Sequence, residues 1–347
     1  MGKRNWFFPV LSGLLVIMLA FAGLILQHVN RNRNELRQKV TDLEEQLAQI
    51  PDTETVMAEN EGVELSNGEI YYSRETIKQK ARDAETLTEL MSMIFYDHAV
   101  YYNGEKYIYS PISEAMRQHD YDLDGIVTDP VSGFKTYSDS KGRVGLRGID
   151  VSTWQGDIDW ARVKESGIDF AIIRAGLRGY ESGNLFEDDM ARSNLYGATS
   201  NGIPVGVYFY SQAVTPAEGK AEAEKILEII SGYDVTWPIV IDVELDSAES
   251  ARANRLSAAQ RTDVVIAFCE RILEAGYTPM IYGNMRMLCG ELEPERLDKY
   301  EKWLAQYYNK PRYPYDFGIW QYSSTAQVRG ISGNVDVNIA FKDYGNQ

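Results

Sequence analysis

The sequence predicts an α/β fold from residue 146 onward: an irregular (β/α)8-type barrel, preceded by a transmembrane helix, a short coiled coil and a small spacer region. Three observations carry this reading. Eight short apolar runs fall at 147–151, 169–174, 204–210, 238–242, 279–282, 302–306, 317–322 and 335–338. Helical patterns fill 157–166, 187–201, 216–231, 257–275 and 293–300 between them. Strands alternating with helices indicate βαβ units, and eight of them match a closed barrel. Three late connections are too short for full helices, so the barrel is expected to be irregular, and about 200 residues is compact for its class.

Residues 6–26, Trp6 to Leu26, carry no charge over 21 positions. At 1.5 Å per residue that length matches a bilayer core of ~30 Å. Lys3 and Arg4 precede the span, leaving 1–5 as a cytoplasmic tail. Ala20-Phe21-Ala22 resembles a cleavage site, so secretion after signal cleavage is the alternative. The apolar run continues through Leu24-Ile25-Leu26, which favours an uncleaved signal anchor. Arg31, Arg33, Arg37 and Lys39 follow the span, so the charge rule leaves its orientation open. The expected location is the cell membrane, single-pass, with residues 146–347 outside.

Leu36, Val40, Leu43, Leu47 and Ile50 are spaced 4, 3, 4 and 3 apart, the a/d pattern of a coiled coil. Pro51 ends it, so 27–50 reads as a stalk, solvated or paired as a homodimer. Residues 51–69 are acidic and turn-rich and read as a linker. Ile77, Ala81, Ala84, Leu87, Met91 and Ile94 lie at helical spacing across 75–95. Residues 70–145 as a whole read as a spacer or lead-in region. Within it Asp120-Tyr121-Asp122-Leu123-Asp124-Gly125 resembles the start of a calcium loop, but its twelfth position is Val131 instead of a bidentate Glu. An acidic turn is the better reading, and neither a metal nor a cofactor is expected.

Composition narrows the chemistry. A net charge of −16 disfavours nucleic acid as a partner, because phosphate backbones reward basic patches. The three histidines, His28, His98 and His119, all precede residue 146. No Ser-His-Asp, Cys-His or His-rich zinc machinery can therefore be assembled within the barrel region alone. Of the two cysteines, Cys269 reads as a small core hydrophobe, while a 269–289 disulfide is left open by sequence.

In such barrels the active site lies at the C-terminal ends of the strands. The first strand ends at Asp150, the fourth at Asp242-Val243-Glu244, and the eighth carries Asp336. Asp242 and Glu244 are two apart on extended chain, so they share a face with Cα atoms ~6–7 Å apart. Two carboxylates in a partly dry cleft do not both ionise easily, which leaves a proton donor beside an anion. Glycoside cleavage uses that pair. Glu244, with the longer reach, is the expected acid, and Asp242 the stabilising anion. Asp150 and Asp336 are expected to position the sugar and tune both. The bland alternative is a helix cap or a structural cation site.

Trp154, Tyr208, Tyr210, Trp320 and Tyr322 fall at or just after strand ends, where aromatic rings suit sugar faces. Packing in the barrel core is the alternative for about half of them. Arg174 ends the second strand and can hold a substrate acid, orient a carboxylate or form a structural ion pair.

Gly148-Ile149-Asp150-Val151-Ser152-Thr153-Trp154-Gln155-Gly156 resembles the opening motif of glycoside hydrolase family 25, the Chalaropsis-type lysozymes. Phe170–Gly176, Gly206–Tyr210, Asp242–Glu244, Ile319–Tyr322 and Val335–Asn338 follow in that family's order. The resemblance covers about 146–342 and shows no departure at the four carboxylates. It implies an N-acetylmuramidase that cuts the β-1,4 bond from N-acetylmuramic acid to N-acetylglucosamine in peptidoglycan, on an irregular TIM-like barrel with a long groove; taken with the apolar span at 6–26, the expectation is a membrane-anchored form used in wall remodelling. It matches Glu244 to the general acid/base. Asp242 matches the partner that steadies either an intermediate formed by the substrate's acetamido group or an attacking water. The alternatives are a non-catalytic wall-binding or scaffold protein on the same barrel and a chitinase-like enzyme.

Overall fold

A computed structural model describes residues 31, 33, 36–41, 63–64, 70–84 and 86–345. The chain divides into two units, Met1–Arg82 and Asp83–Gln347. In the first, residues 36–41 are helical, Val63–Glu64 pairs antiparallel with Ile70–Tyr71, and a helix starts at Arg74. The apolar span at 6–26, most of the expected coiled coil and all but two residues of the 51–69 linker lie outside the described residues. Among the described residues no helix is long and apolar enough to cross a membrane. The helical spacing of 75–95 resolves into two helices, Arg74–Asp83 and Leu87–Ile94. The second starts anew because Thr86 caps it, its hydroxyl accepting from the Glu89 N–H at 3.1 Å.

The second unit holds a closed eight-stranded barrel. Its strands are β1 Leu146–Val151, β2 Phe170–Arg178, β3 Val205–Tyr210, β4 Val235–Asp242, β5 Pro279–Asn284, β6 Glu301–Ala305, β7 Ile319–Ala326 and β8 Val335–Ala340. They pair in chain order, with β8 beside β1 and β2 beside β3 closing the ring. Seven strands run parallel, while β8 is antiparallel to both β7 and β1. Only residues 327–334 join β7 to β8, and that short link permits a hairpin but no crossover.

Four helices follow the first four strands: α1 Trp160–Glu165, α2 Ala191–Ser200, α3 Pro216–Ile229 and α4 Ala258–Glu274. Local chemistry sets their starts. Asp159 caps α1, Thr215 precedes Pro216 at the start of α3, and Ser257 with Gln260 forms a capping box on α4. The helix expected at 293–300 is only the short turn Pro294–Leu297, entered through Pro294 after Glu293.

The flank of β5 to β7 therefore lacks full helices, and residues 86–145 cover it. This segment forms the hairpins His98–Tyr102/Tyr107–Pro111 and Ile126–Thr128/Lys135–Tyr137. Ala99, Tyr101, Met116, Ile126 and Tyr137 join the same apolar core as Trp320, Tyr322, Val337 and the inner faces of the helices. The Tyr121 hydroxyl donates to the Phe317 carbonyl at 2.7 Å, and the Tyr315 hydroxyl accepts from the Ser113 N–H at 3.0 Å. Residues 86–145 are thus packed into the barrel's outer layer. Its Asp120-to-Gly125 turn is held by charge pairing: Asp120 meets Lys141 at 2.6 Å and also Arg143, Asp124 meets Lys310, and Asp122 caps Leu123–Gly125. Cys269 and Cys289 are free thiols, Cys269 fully buried in α4.

The barrel interior is a packed plug. Phe170 and Trp237 stack with centroids 3.9 Å apart, and Ile172, Val240, Met280, Trp303 and Ile319 fill the layers around them. Gly148 makes room for this plug, since a Cβ there would stand 2.1 Å from the Phe170 ring. Gly148→Ala is therefore expected to destabilise the fold by about 1–3 kcal/mol, as overpacking does. Thermal unfolding of Gly148→Ala, alone and with Phe170→Leu, checks this. A smaller ring-site side chain should restore part of the loss, and an unchanged midpoint in the single variant would contradict the packing account.

Candidate active site

Strand alternation builds the site. On β1, Ile149 and Val151 join the outer apolar layer, so Asp150 between them points into the barrel. On β4, Ile239, Ile241 and Val243 face outward, while Val240 belongs to the interior and Asp242 and Glu244 follow it on the same face. On β8, Val335, Val337 and Ile339 face outward, and Asp336 and Asn338 face in. Asp336 reaches the mouth for a reason the strand-end rule does not supply. It is the second residue of β8, and it lies at the open end only because β8 is antiparallel. There it stands directly across the ladder from Asp150.

The structure brings Asp150, Asp242, Glu244 and Asp336 together. Asp150 is buried, and its Oδ2 accepts from Gln321 Nε2 at 3.0 Å and Asn338 Nδ2 at 2.8 Å. Gln321 is itself aimed by Tyr282 and Tyr307, whose hydroxyls donate to its Oε1 at 2.9 and 3.0 Å. Trp303 steadies Asn338 by donating its indole N–H to Oδ1 at 2.8 Å. Asp242 is buried, and its Oδ1 has no hydrogen-bond partner among the described residues. Its backbone carbonyl accepts from the Ser211 N–H at 2.9 Å, and the Ser211 hydroxyl donates to buried Glu222 at 2.6 Å. Arg178 holds Glu222 from the other side at 2.7 Å, although burial still pushes that carboxyl up to about 7.

All four carboxyls sit above their ordinary range. Burial is the leading cause in each case. Mutual repulsion adds to it: Asp336 and Glu244 act on Asp150, Glu244 and Asp150 on Asp242, and Asp336 and Asp246 on Glu244. Asp336 is pushed up to about 6. Arg174 pulls Asp242 back down, and the two amide donors do the same for Asp150. The arrangement therefore favours the protonated form of these carboxyls, as acid catalysis at an acetal oxygen requires. Among the described residues no group of three His, Cys, Asp or Glu side chains is disposed to hold a metal ion.

The expected aromatic lining divides. Tyr208 and Tyr210 face the interior side of β3, and the Tyr210 hydroxyl donates to Asp246 at 2.8 Å. Trp154 lies on the turn after β1 and is 82% exposed, a free ring at the rim. Trp320 and Tyr322 point the other way. They are buried in the outer layer, where Trp320 Nε1 donates to the Gln306 carbonyl and the Tyr322 hydroxyl accepts from the Lys135 N–H. Gln321 between them is the inward residue of β7, because alternation admits only one of the two sets. Arg174 faces the mouth and is tied to buried Asp188 at 2.6 Å, whose carboxylate also accepts from the Thr153 and Met190 N–H groups. Gln321, Asn338 and Asp188 escaped the sequence reading. The first two were within reach of it, since Asn338 is two residues from Asp336 and Gln321 alternates with two aromatics.

Residues 149–331 match Glycosyl hydrolases family 25, more than half of the chain, and the protein belongs to that family. The chain is 28% identical over 194 residues to the autolytic lysozyme of Clostridium acetobutylicum, covering 56% of this chain and 55% of that protein. It is 31% identical over 207 residues to lysozyme M1 of Streptomyces globisporus, covering 56% of this chain and 67% of the relative. The modular autolysin LytC of Streptococcus pneumoniae, solved with a synthetic peptidoglycan ligand, superposes with a TM-score of 0.52 at 25% identity, over 62% of this chain and 52% of that one. The chain thus spans about half the length of the first of these relatives.

Asp336 has a folded value of about 6 against an ordinary 3.8, so the folded state binds more protons than the unfolded one between those values. Stability is accordingly lost as pH rises through that window. Asp336→Asn should raise the thermal midpoint at pH 7, by about 1–3 kcal/mol in stability, and the gain should shrink toward pH 4. Equal gains at pH 4 and pH 7 would show that burial of the ionised carboxylate is not the cause.

Proposed function

We propose that this protein is a peptidoglycan hydrolase, an N-acetylmuramidase that cleaves the β-1,4 bond between N-acetylmuramic acid and N-acetylglucosamine. The observation that carries the reading is the set of four inward carboxylates at one barrel mouth in a family 25 chain. Glu244 is the acid: burial and its acidic neighbours favour its protonated form, and it is the more exposed of the Asp242–Glu244 pair. Its proton passes to the glycosidic oxygen as the bond to the anomeric carbon breaks, with the bonding electrons leaving on that oxygen. Water supplies the hydroxyl to the carbon and a proton to restore Glu244. Asp242 is the anion that steadies the positive centre or the group attacking it. Its unpartnered Oδ1 is an acceptor for a substrate N–H or a water. Asp150 and Asp336 hold the sugar and raise the proton affinity of the pair. Trp154, Tyr208, Tyr210 and Arg174 complete the binding surface. The lysozyme names of the relatives support this activity, and the peptidoglycan-bound autolysin supports the substrate class.

The proposed setting is the outer side of a cell membrane. Residues 6–26 are long and apolar enough to anchor the chain, and 27–50 form a stalk with the spacing of a coiled-coil dimer. An anchor suits wall remodelling close to the bilayer. Full-length protein is expected in the membrane fraction and released by detergent but not by high salt, and a chain lacking residues 1–26 is expected in the soluble fraction. Recovery of the protein trimmed after Ala22 would sink the anchor.

Glu244→Gln should lower the rate of wall clearing about 10²–10⁴-fold while leaving binding to insoluble peptidoglycan intact. Mass analysis of the wild-type digest should show reducing-end muramic acid. Reducing-end N-acetylglucosamine would place the cut at the other bond. Binding without any cleavage would favour the scaffold reading, and release of N-acetylglucosamine oligomers from chitin the chitinase-like one.

A further inference from the structure

A second recess of about 190 Å³ opens beside Glu244, lined by Glu244, Leu245, Asn284, Arg286, Met287 and Glu291. Its chemistry differs from that of the carboxylate cluster. Two guanidiniums converge on the single carboxylate of Glu291. Arg261 donates to the Glu291 carbonyl at 2.8 Å and to Oε2 at 3.3 Å, and Arg286 donates to Oε1 at 2.9 Å. Arg261 is buried, and its other amine is used by the Ala253 and Leu256 carbonyls at 3.1 and 3.3 Å. It acts as a post that fixes Glu291. Arg286 is different, with a third of its side chain exposed. Its Nη1 amine makes no hydrogen bond to a described residue and stands 3.3 Å from where a Cβ on Gly104 would lie. Gly104, at φ +102°, forms the turn of the hairpin that precedes the family-matched region. A side chain there would crowd the guanidinium. Asn284 accepts from the Met287 N–H at 3.0 Å through Oδ1, which leaves its amide nitrogen as a second donor at the rim.

The recess sets Arg286 against Glu244 and Glu291, and Arg261 behind Glu291 brings the count to two guanidiniums for two carboxylates, beside an otherwise acidic mouth in a protein of net charge −16. A substrate that itself bears an acid would be repelled by four carboxyls unless a cation met it. Arg174 at the mouth is already engaged by Asp188. We infer that the recess is a carboxylate subsite in which Arg286 binds an acid group carried on the glycan next to the bond cleaved. This rests on the peptidoglycan reading above and adds to it a specificity-determining residue. Two sources share that chemistry: the lactyl acid of muramic acid and an acid of the peptide attached to it.

Three glycans separate them: peptide-bearing strands, strands stripped by an amidase so that the lactyl acid is free, and stripped strands whose acid is converted to the methylamide. The full chain is compared as wild type, Arg286→Met and Arg286→Lys. Cleavage is followed as kcat/KM, and affinity is measured in the Glu244→Gln background. Wild type should prefer an acid-bearing glycan over the methylamide about ten-fold or more, the worth of one charged hydrogen bond. Arg286→Met should erase that preference, and Arg286→Lys should keep part of it. Glu291 stays paired with Arg261 in both variants, so folding should survive. Preference for stripped strands identifies the lactyl acid, and preference for peptide-bearing strands the peptide acid. Equal effects of Arg286→Met on all three glycans, or none on any, would overturn the subsite. Loss of acid preference in binding on Arg286→Met, with no cleavage by wild type, would overturn the proposed activity and leave the subsite standing.

Discussion

Repulsion among four carboxyl groups facing one barrel mouth is the constraint around which this structure is organised. Asp150 and Asp336 stand opposite each other on neighbouring strands, and Asp242 and Glu244 share one strand face. Such a set spreads apart or fills with water unless the scaffold is stiff. The plug of Phe170, Trp237 and Trp303 supplies stiffness from below. Gln321 and Asn338 donate two hydrogen bonds to Asp150 and orient it. Their own orientation comes from Tyr282, Tyr307 and Trp303, so the polar network is anchored in the packed interior. Burial, joined by what remains of the repulsion, appears as raised proton affinity, which is the property the proposed reaction uses.

The barrel does not stand by itself. Its first four strands are each followed by a helix, but the flank of β5 to β7 has only turns and irregular chain. Residues 86–145 cover that flank and contribute to the same core. A region that precedes the family-matched stretch thus completes the barrel's outer layer. Through Gly104 it also comes close to Arg286, beside Glu244.

Both faces of a barrel strand are buried, one against the plug and one against the outer layer. Hydrophobicity therefore reveals the strands well but does not say which face points in. This explains the division among the expected site residues. The eight strands and four of the five helices lie close to where the periodicity puts them. The carboxylates were legible because an acid in an apolar run has few reasons to be there. Trp320 and Tyr322 suit either face, and they lie in the outer layer because Gln321 takes the inner one. The 75–95 segment has helical spacing throughout but folds as two helices, and the Thr86 cap marks the start of the second.

By itself the sequence determined the fold class, the family and the identity of the four acids, because these depend on residue type and local period. Only the tertiary structure decided how they meet. Asp336 follows an eight-residue link that forces β8 to run antiparallel, and this reversal carries the start of a strand to the mouth. The pairing of Asp150 with Asp336, the amides that hold Asp150, and the hold of Arg261 on Glu291 join residues 30 to 188 positions apart. No local rule specifies such contacts. They follow from ring closure, which fixes the register between strands distant in the chain.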